Sequence, residues 1–327
     1  MSAAPYRGSL DGSDEDSLLR GTAGAIAERC RSGSSEVGDH LRCRAALADA
    51  GLLELRSRDE DGAPIATATQ AGIVVEELAR STCGAGLLGT TIAAELLAAT
   101  GVPDTGDAAT VALRADLESW AEPGDAVVWD AAGAARALAV VDGSVVAYAT
   151  GPEIAQADIS RTLLATGSSR TLTAVEAGTA SRVTAFAHLV LAADLLGTAS
   201  GILDEAVAYA GTRVQFGRPI GTFQAVQHLC ARAFVQVEAM RSSLVYASWL
   251  FDADHDRREA EEAALVAKAY ASEVAVEVVE AAVQVFGGMA ITWEFPAHLH
   301  LRRALLTARV LGGPAVLQRR VLSRSEG

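Results

Sequence analysis

The most apolar long run in the chain, FAHLVLAADLLGTASGILDEAVAYA (Phe186–Ala210), constrains the fold more than any other feature. It exceeds the ~20 apolar residues that a membrane-crossing helix needs, but His188, Asp194, Asp204 and Glu205 interrupt it. The reading is therefore a helix buried in protein, and such a helix must be covered by other helices. The sequence that follows supplies them. Phe223 to Asp252 and Arg258 to Phe286 carry the helical period, the second with Glu259, Glu261 and Glu262 in its first turn and Gly287-Gly288 at its stop. A last run extends from about Pro296, a good first-turn residue, to about Val310. The expectation over 181–327 is an antiparallel four-helix bundle.

Upstream the pattern changes twice. Between 106 and 180 come short apolar bursts, TVALR, AVVW, RALAVV, SVVAYAT and RTLTAV, separated by turn signals such as Pro123-Gly124-Asp125 and Asp142-Gly143-Ser144. That pattern predicts a small antiparallel β domain. Residues 1–105 read as helical, with an acidic start at Asp14-Glu15-Asp16 and runs at His40–Leu53, Ala66–Arg80 and Gly84–Ala99, the last apolar on almost every side. The fold class is thus mainly α with a small β domain: N-terminal helical domain 1–105, β domain 106–180, C-terminal bundle 181–327.

The chain carries a formal net charge of −14. That balance argues against a nucleic-acid or membrane-surface binder, because both need a basic face. The polar, acidic leader MSAAPYRGSLDGSDEDS lacks the pattern of a signal peptide, so a cytoplasmic location is expected. Cys30, Cys43, Cys83 and Cys230 follow neither a zinc-ligand spacing nor a disulfide framework, and no metal is expected. They read as small buried apolar residues in a reducing compartment.

Two stretches stand out against this background. RVQFGRPIGTFQAVQH (Arg213–His228) is a short, stiff, locally basic turn between two long helical runs. From periodicity alone it is a rigid helix–helix corner with Arg213 at a helix C-terminus, where a cation is favoured. The functional alternative is a site for a phosphorylated or planar ligand, with arginine contacting phosphate and Phe216 offering a stacking face. QVFGGMAITWEFPAHLHLRRA (Gln284–Ala304) carries a glycine pair that ends a helix and permits close backbone approach. His188 and His228 read as bundle histidines, and His298 and His300, beside Arg302 and Arg303, as a polar subunit contact.

Together and in this order, R-x-x-F-G-x-x-x-x-x-F-Q and Q-x-F-G-G-x-x-x-T-x-E-x-P with its following R-R-A resemble the C-terminal domain of the acyl-CoA dehydrogenases. The resemblance is specific over 186–320. It extends more weakly over 40–100, where ALADAGLLELR and GIVVEELAR are similar to that family's N-terminal helices. It implies FAD at a subunit interface, with Arg213, Phe216, Gln224, Gln284, Gly287 and Gly288 facing the cofactor held mainly by a partner. It also implies an α-proton removed from an acyl-CoA thioester by glutamate while a β-hydride passes to the flavin.

This sequence departs from the family pattern at both places where the glutamate occurs. After the last bundle helix the stretch is VLGGPAVLQR, with Gly312 at the glutamate position, and on the first bundle helix the alternative position is Ala187. Neither can accept a proton. Asp194 lies two turns after Ala187 on roughly the same helix face; it reads either as a substitute base or as a buried aspartate paired with an arginine. The β domain is short, with Arg114-Ala115-Asp116 in place of the family's flavin-holding motif. ITWEFPAHLHLRRA followed by LGGP is similar to the short, degenerate subunits of heteromeric, steroid-CoA-type members. That likeness implies an α2β2 complex with a full-length subunit that desaturates a bulky acyl-CoA. The alternatives are a homomeric dehydrogenase using Asp194 and a flavin-free structural or regulatory subunit.

Overall fold

A computed structural model describes residues 13–31, 40–103, 105–122, 124–254 and 256–325. The leading stretch through Gly12, and Pro123 of the expected turn, lie outside the described residues. The N-terminal part holds α1 (Asp14–Cys30), α2 (His40–Asp49), α3 (Ala68–Arg80) and α4 (Leu87–Thr100). Local chemistry sets where two of them begin. Ser13 and Asp16 form a reciprocal capping box on α1, and Thr67 and Gln70 do the same on α3.

Each of the five apolar bursts supplies a strand: β1 (Ala109–Leu113), β2 (Val127–Trp129), β3 (Arg136–Val141), β4 (Ser144–Glu153) and β5 (Leu164–Ala174). They close into a barrel in the order β1-β2-β5-β4-β3. The expectation of a purely antiparallel domain is corrected at one place: β1 and β3 pair in parallel, with Val111 opposite Leu138. This pairing joins what would be the two open edges of the sheet, so none is left exposed.

The bundle follows. Helix α5 (Ala177–Thr212) starts earlier than its apolar run, because AGTASR is compatible with helix although it has no apolar face. A two-stranded hairpin, β6 (Val214–Gln215) and β7 (Arg218–Pro219), then leads into α6 (Gln224–Ala253), α7 (Arg257–Phe286) and α8 (Ala297–Thr307). A further helix not expected from the sequence, α9 (Pro314–Ser325), packs on α7 through Leu317, which is fully buried against Leu265 and Ala269. Helix α5 is the axis of the molecule: residues from Phe186 to Leu203 along it are buried without a break. Its Gly197 and Gly201 let α3 approach so closely that a Cβ at either would overlap the carbonyl oxygen of Glu76 or Arg80.

Candidate functional site

The chain runs up α5, back down α6 and up α7, so the Arg213 turn and the Gly287-Gly288 stop fall at the same end of the bundle. Aromatic contacts tie them together. Tyr209 of α5 packs on Phe286 at the end of α7 (centroids 5.3 Å), and Phe286 packs on Phe295 (4.6 Å). The turn is a tight hairpin with Phe216 and Gly217 both at positive φ (52° and 78°) and the Ile220 N–H donating to the Arg213 carbonyl at 2.8 Å. Two consecutive left-handed residues match the twist of a two-residue hairpin, but phenylalanine is costly in that region. Phe216 is 92% exposed, its ring at right angles to that of Phe223 with centroids 6.1 Å apart, and Arg218 stacks over Phe223 at 4.1 Å.

Arg213 caps α5 with its backbone, while its side chain is exposed. Among the described residues its guanidinium has no hydrogen-bond or ion-pair partner. The same holds for the exposed amides of Gln224, the first residue of α6, and Gln284, near the end of α7. Gly287 adopts φ 62°, which favours glycine; Gly288 does not, and a Cβ at either would meet nothing within 4 Å. Nothing among the described residues therefore demands glycine at 288, whereas a ligand or partner approaching the backbone would. An unpaired guanidinium, two donor–acceptor amides, an exposed ring and an accessible glycine pair form a set that fits the adenosine diphosphate end of FAD. By contrast, the Arg114-Ala115-Asp116 stretch is engaged with its own loop. Arg114 pairs with Glu122 and Asp125 (3.2 and 3.3 Å), and the Ala115 N–H donates to Asp125 at 3.0 Å.

The expected base positions offer none. Ala187 is wholly buried. Gly312 sits at φ 125° where a Cβ would overlap Leu317, and its neighbour Leu311 is fastened on both sides, N–H to the Leu117 carbonyl (2.9 Å) and carbonyl to His188 Nε2 (3.2 Å). Asp194 is 0% exposed; Arg303 donates to it through Nε (3.1 Å) and Nη2 and Thr307 through Oγ1 (3.0 Å), and Arg161 Nη2 forms an ion pair with it at 2.8 Å. Burial acts to raise its pKa, but Arg161 and Arg303 outweigh that and hold the carboxylate at about 2. A carboxylate this tightly satisfied is a poor acceptor for an α-proton and cannot reach a substrate. The arrangement is that of a paired structural aspartate.

Arg161, Asp130 and Asp158 complete this network and were not singled out from the sequence. Arg161 lies over the Trp129 ring, donates to Asp130 at 3.0 Å and pairs with Asp158 at 3.3 Å. Asp130 in turn accepts the Gly89 N–H at 2.9 Å. The signal that could have found it was Asp130 placed straight after the apolar AVVW strand, a charge with no reason to be buried unless paired. The network seals the junction of α3, α4, barrel and bundle. The space left among Val75, Leu87, Asp130, Arg161, Asp194 and Arg303 is about 10 Å³, against the several hundred Å³ of an ordinary ligand pocket.

The expected subunit contact at His298 and His300 is corrected in part. His300 and Arg303 lie inside, because α8 turns one face onto α5; His300 Nδ1 stands 3.0 Å from the Thr198 carbonyl, and burial pushes its pKa down to about 4. His298 stacks on Trp293 (4.6 Å) nearer the surface, and His228 is exposed on α6.

Comparison with known proteins gives a consistent result. A family model of the acyl-CoA dehydrogenase C-terminal domain matches residues 178–326. Acyl-CoA dehydrogenase IpdE2 of Mycolicibacterium smegmatis is 31% identical, the alignment covering 94% of this chain and 98% of that protein. Among solved structures, the Tcur3481-Tcur3483 steroid acyl-CoA dehydrogenase superposes with a TM-score of 0.81 at 25% identity, covering 96% of this chain and 98% of the other. The ChsE4-ChsE5 complex from Mycobacterium tuberculosis superposes with a TM-score of 0.80 at 20% identity, over 97% and 99% of the two chains, a likeness of fold.

Proposed function

The chain belongs to the acyl-CoA dehydrogenase family, FAD-dependent oxidoreductases acting on acyl-CoA, and on that premise we propose that it is the base-less subunit of a heteromeric member. In this reading it completes the FAD site of a full-length partner, in a complex of α2β2 type, for the α,β-desaturation of a bulky, steroid-type acyl-CoA. The observation that carries the reading is the state of the three candidate base positions: Gly312, Ala187 and an Asp194 locked between two arginines. The sealed junction argues the same way, because a bulky acyl chain has no room beside Asp194. The steroid class and the two-chain assembly draw support from the likeness to the Tcur3481-Tcur3483 steroid enzyme.

Bound FAD supplies the hydride acceptor. This chain's share is binding and orientation. The Arg213 guanidinium would hold the diphosphate, the Gln224 and Gln284 amides would each offer a donor and an acceptor, and Gly287-Gly288 leave the backbone open to close approach. The partner supplies the carboxylate that takes the α-proton.

The test is co-expression with a full-length dehydrogenase subunit, followed by a count of flavin per chain and an assay of acyl-CoA desaturation. The expected result is a colourless chain alone and a yellow, active complex. A chain that binds flavin and desaturates by itself would restore the homomeric reading. A colourless complex would make it a structural subunit. Arg213→Ala then tests the corner itself. It removes a charge-assisted contact worth ~1.5–3 kcal/mol, so FAD affinity of the complex falls about ten- to hundredfold. The fold stays intact, because the side chain has no hydrogen-bond or ion-pair partner among the described residues. Equal flavin occupancy at limiting FAD would reduce Arg213 to a helix cap.

A further inference from the structure

Cys30, Cys43 and Cys83 are far apart in sequence and show no metal-ligand spacing, yet their sulfur atoms lie within 4.8 Å of one another. Cys30 ends α1, Cys43 lies one turn into α2, and Cys83 sits in the turn between α3 and α4. All three side chains are buried (6, 2 and 7% exposed). Cys43 Sγ donates to the Cys30 carbonyl at 3.9 Å, and Cys83 presents its own carbonyl to Arg303 Nη1 at 3.2 Å. The cluster therefore pins three separate elements at the edge of the sealed junction.

The geometry points to a three-thiolate site for a thiophilic d10 metal ion at Cys30, Cys43 and Cys83. Sulfurs bound at ~2.3 Å to one ion stand about 3.8–4.0 Å apart, so ligation asks for a contraction of no more than about 1 Å across the cluster. Soft thiolates select Cu(I) and Zn(II) over hard cations. A zinc site is nearly always four-coordinate, and no fourth His, Cys, Asp or Glu ligand atom joins the group among the described residues. The dry, three-sulfur geometry therefore favours Cu(I). Binding is a proton exchange, each thiol giving up one proton as its sulfur takes the ion, with no change of oxidation state at sulfur.

The test is anaerobic titration of the reduced full chain with Cu(I), and separately with Zn(II), reading bound metal per chain. Thiol reactivity with an aromatic disulfide is followed in parallel. The expected result is one ion per chain, Cu(I) held more tightly than Zn(II), with three of the four thiols protected and freed again by a chelator. Cys43→Ala should abolish binding, and Cys230→Ala, on α6 and outside the cluster, should leave it unchanged. If Cys43→Ala does not fold, the protection assay on the unaltered chain decides alone. One equivalent of Zn(II) in place of Cu(I) would still support the site. Failure of both ions to protect the thiols, binding that survives Cys43→Ala, or a disulfide among the three in the isolated protein would overturn it.

Discussion

Lys268 shares the interior around Asp194 but forms no salt bridge among the described residues. Its ammonium donates to Ser272 Oγ at 2.8 Å and to the Ala308 carbonyl at 3.1 Å, with no exposure to solvent. Burial pushes its pKa down to about 7, Asp194 pulling weakly the other way. The consequence has a definite sign. Between about pH 7 and 10 the unfolded chain holds a proton on this lysine that the folded chain has lost, so stability rises with pH across that window. Below pH 7 both states carry the proton and the slope from this group ends. Urea midpoints measured from pH 7 to 10 should climb, and in Lys268→Met that part of the climb, on the order of a few kcal/mol, should vanish. An unchanged slope in the variant would assign it to other groups. His300 acts at the acid end. Its folded pKa of about 4 lies below the ordinary value of 6.5, so stability is lost as pH falls between them, when the unfolded chain takes the proton first.

At the scale of elements, α5 carries two kinds of glycine that look alike in sequence. At Gly197 a Cβ would overlap the backbone of α3, while at Gly211 it would meet nothing within 4 Å. Gly197→Ala gains helix propensity but forces the two helices apart, for a net loss of ~1–3 kcal/mol. Gly211→Ala keeps only the propensity gain, up to ~1 kcal/mol near a helix end. Thermal melts of the two variants should therefore move in opposite directions; a shared sign would mean that α3 and α5 are not packed as described. The long helices were legible because apolar period and glycine stops mark them, and the strands because turn signals separate apolar bursts. Helix α9 was not, because GGP reads as a stop and its sequence buries little beyond Leu317. The parallel β1–β3 pair left no trace, since register across non-adjacent strands is not written in alternation. Likewise Arg161 and the three cysteines find their partners only through the tertiary fold, whereas Arg213, Gln224 and the glycine pair stood out because they form a local motif that breaks the helical period.

At the scale of the whole molecule, the end of the bundle that holds the Arg213 turn and the Gly287-Gly288 stop also exposes large apolar side chains. Val214 and Phe216 in the turn, and Ile291 and Trp293 after the glycine pair, expose 53, 92, 83 and 54% of themselves. Exposed large apolar side chains gathered at one end of a bundle suit an interface, and stable assemblies bury roughly 2,000 Å² or more. Phe216 separates interface from fold because the two act on it in opposite directions. Within the chain it occupies φ 52°, a region where a bulky side chain is strained and asparagine is tolerated. It also contributes little packing of its own beyond an edge contact with Phe223. Phe216→Asn should thus leave the melting temperature of the isolated chain unchanged or slightly raised. In the complex an aromatic anchor at the centre of an interface is worth ~2 kcal/mol or more, so association with the partner subunit should weaken by about thirtyfold or more. Sedimentation of the mixed subunits against concentration reads the second effect, and a melt of the chain alone reads the first. Loss of stability without loss of association would make the exposed ring a part of the fold and remove this end of the bundle from the interface.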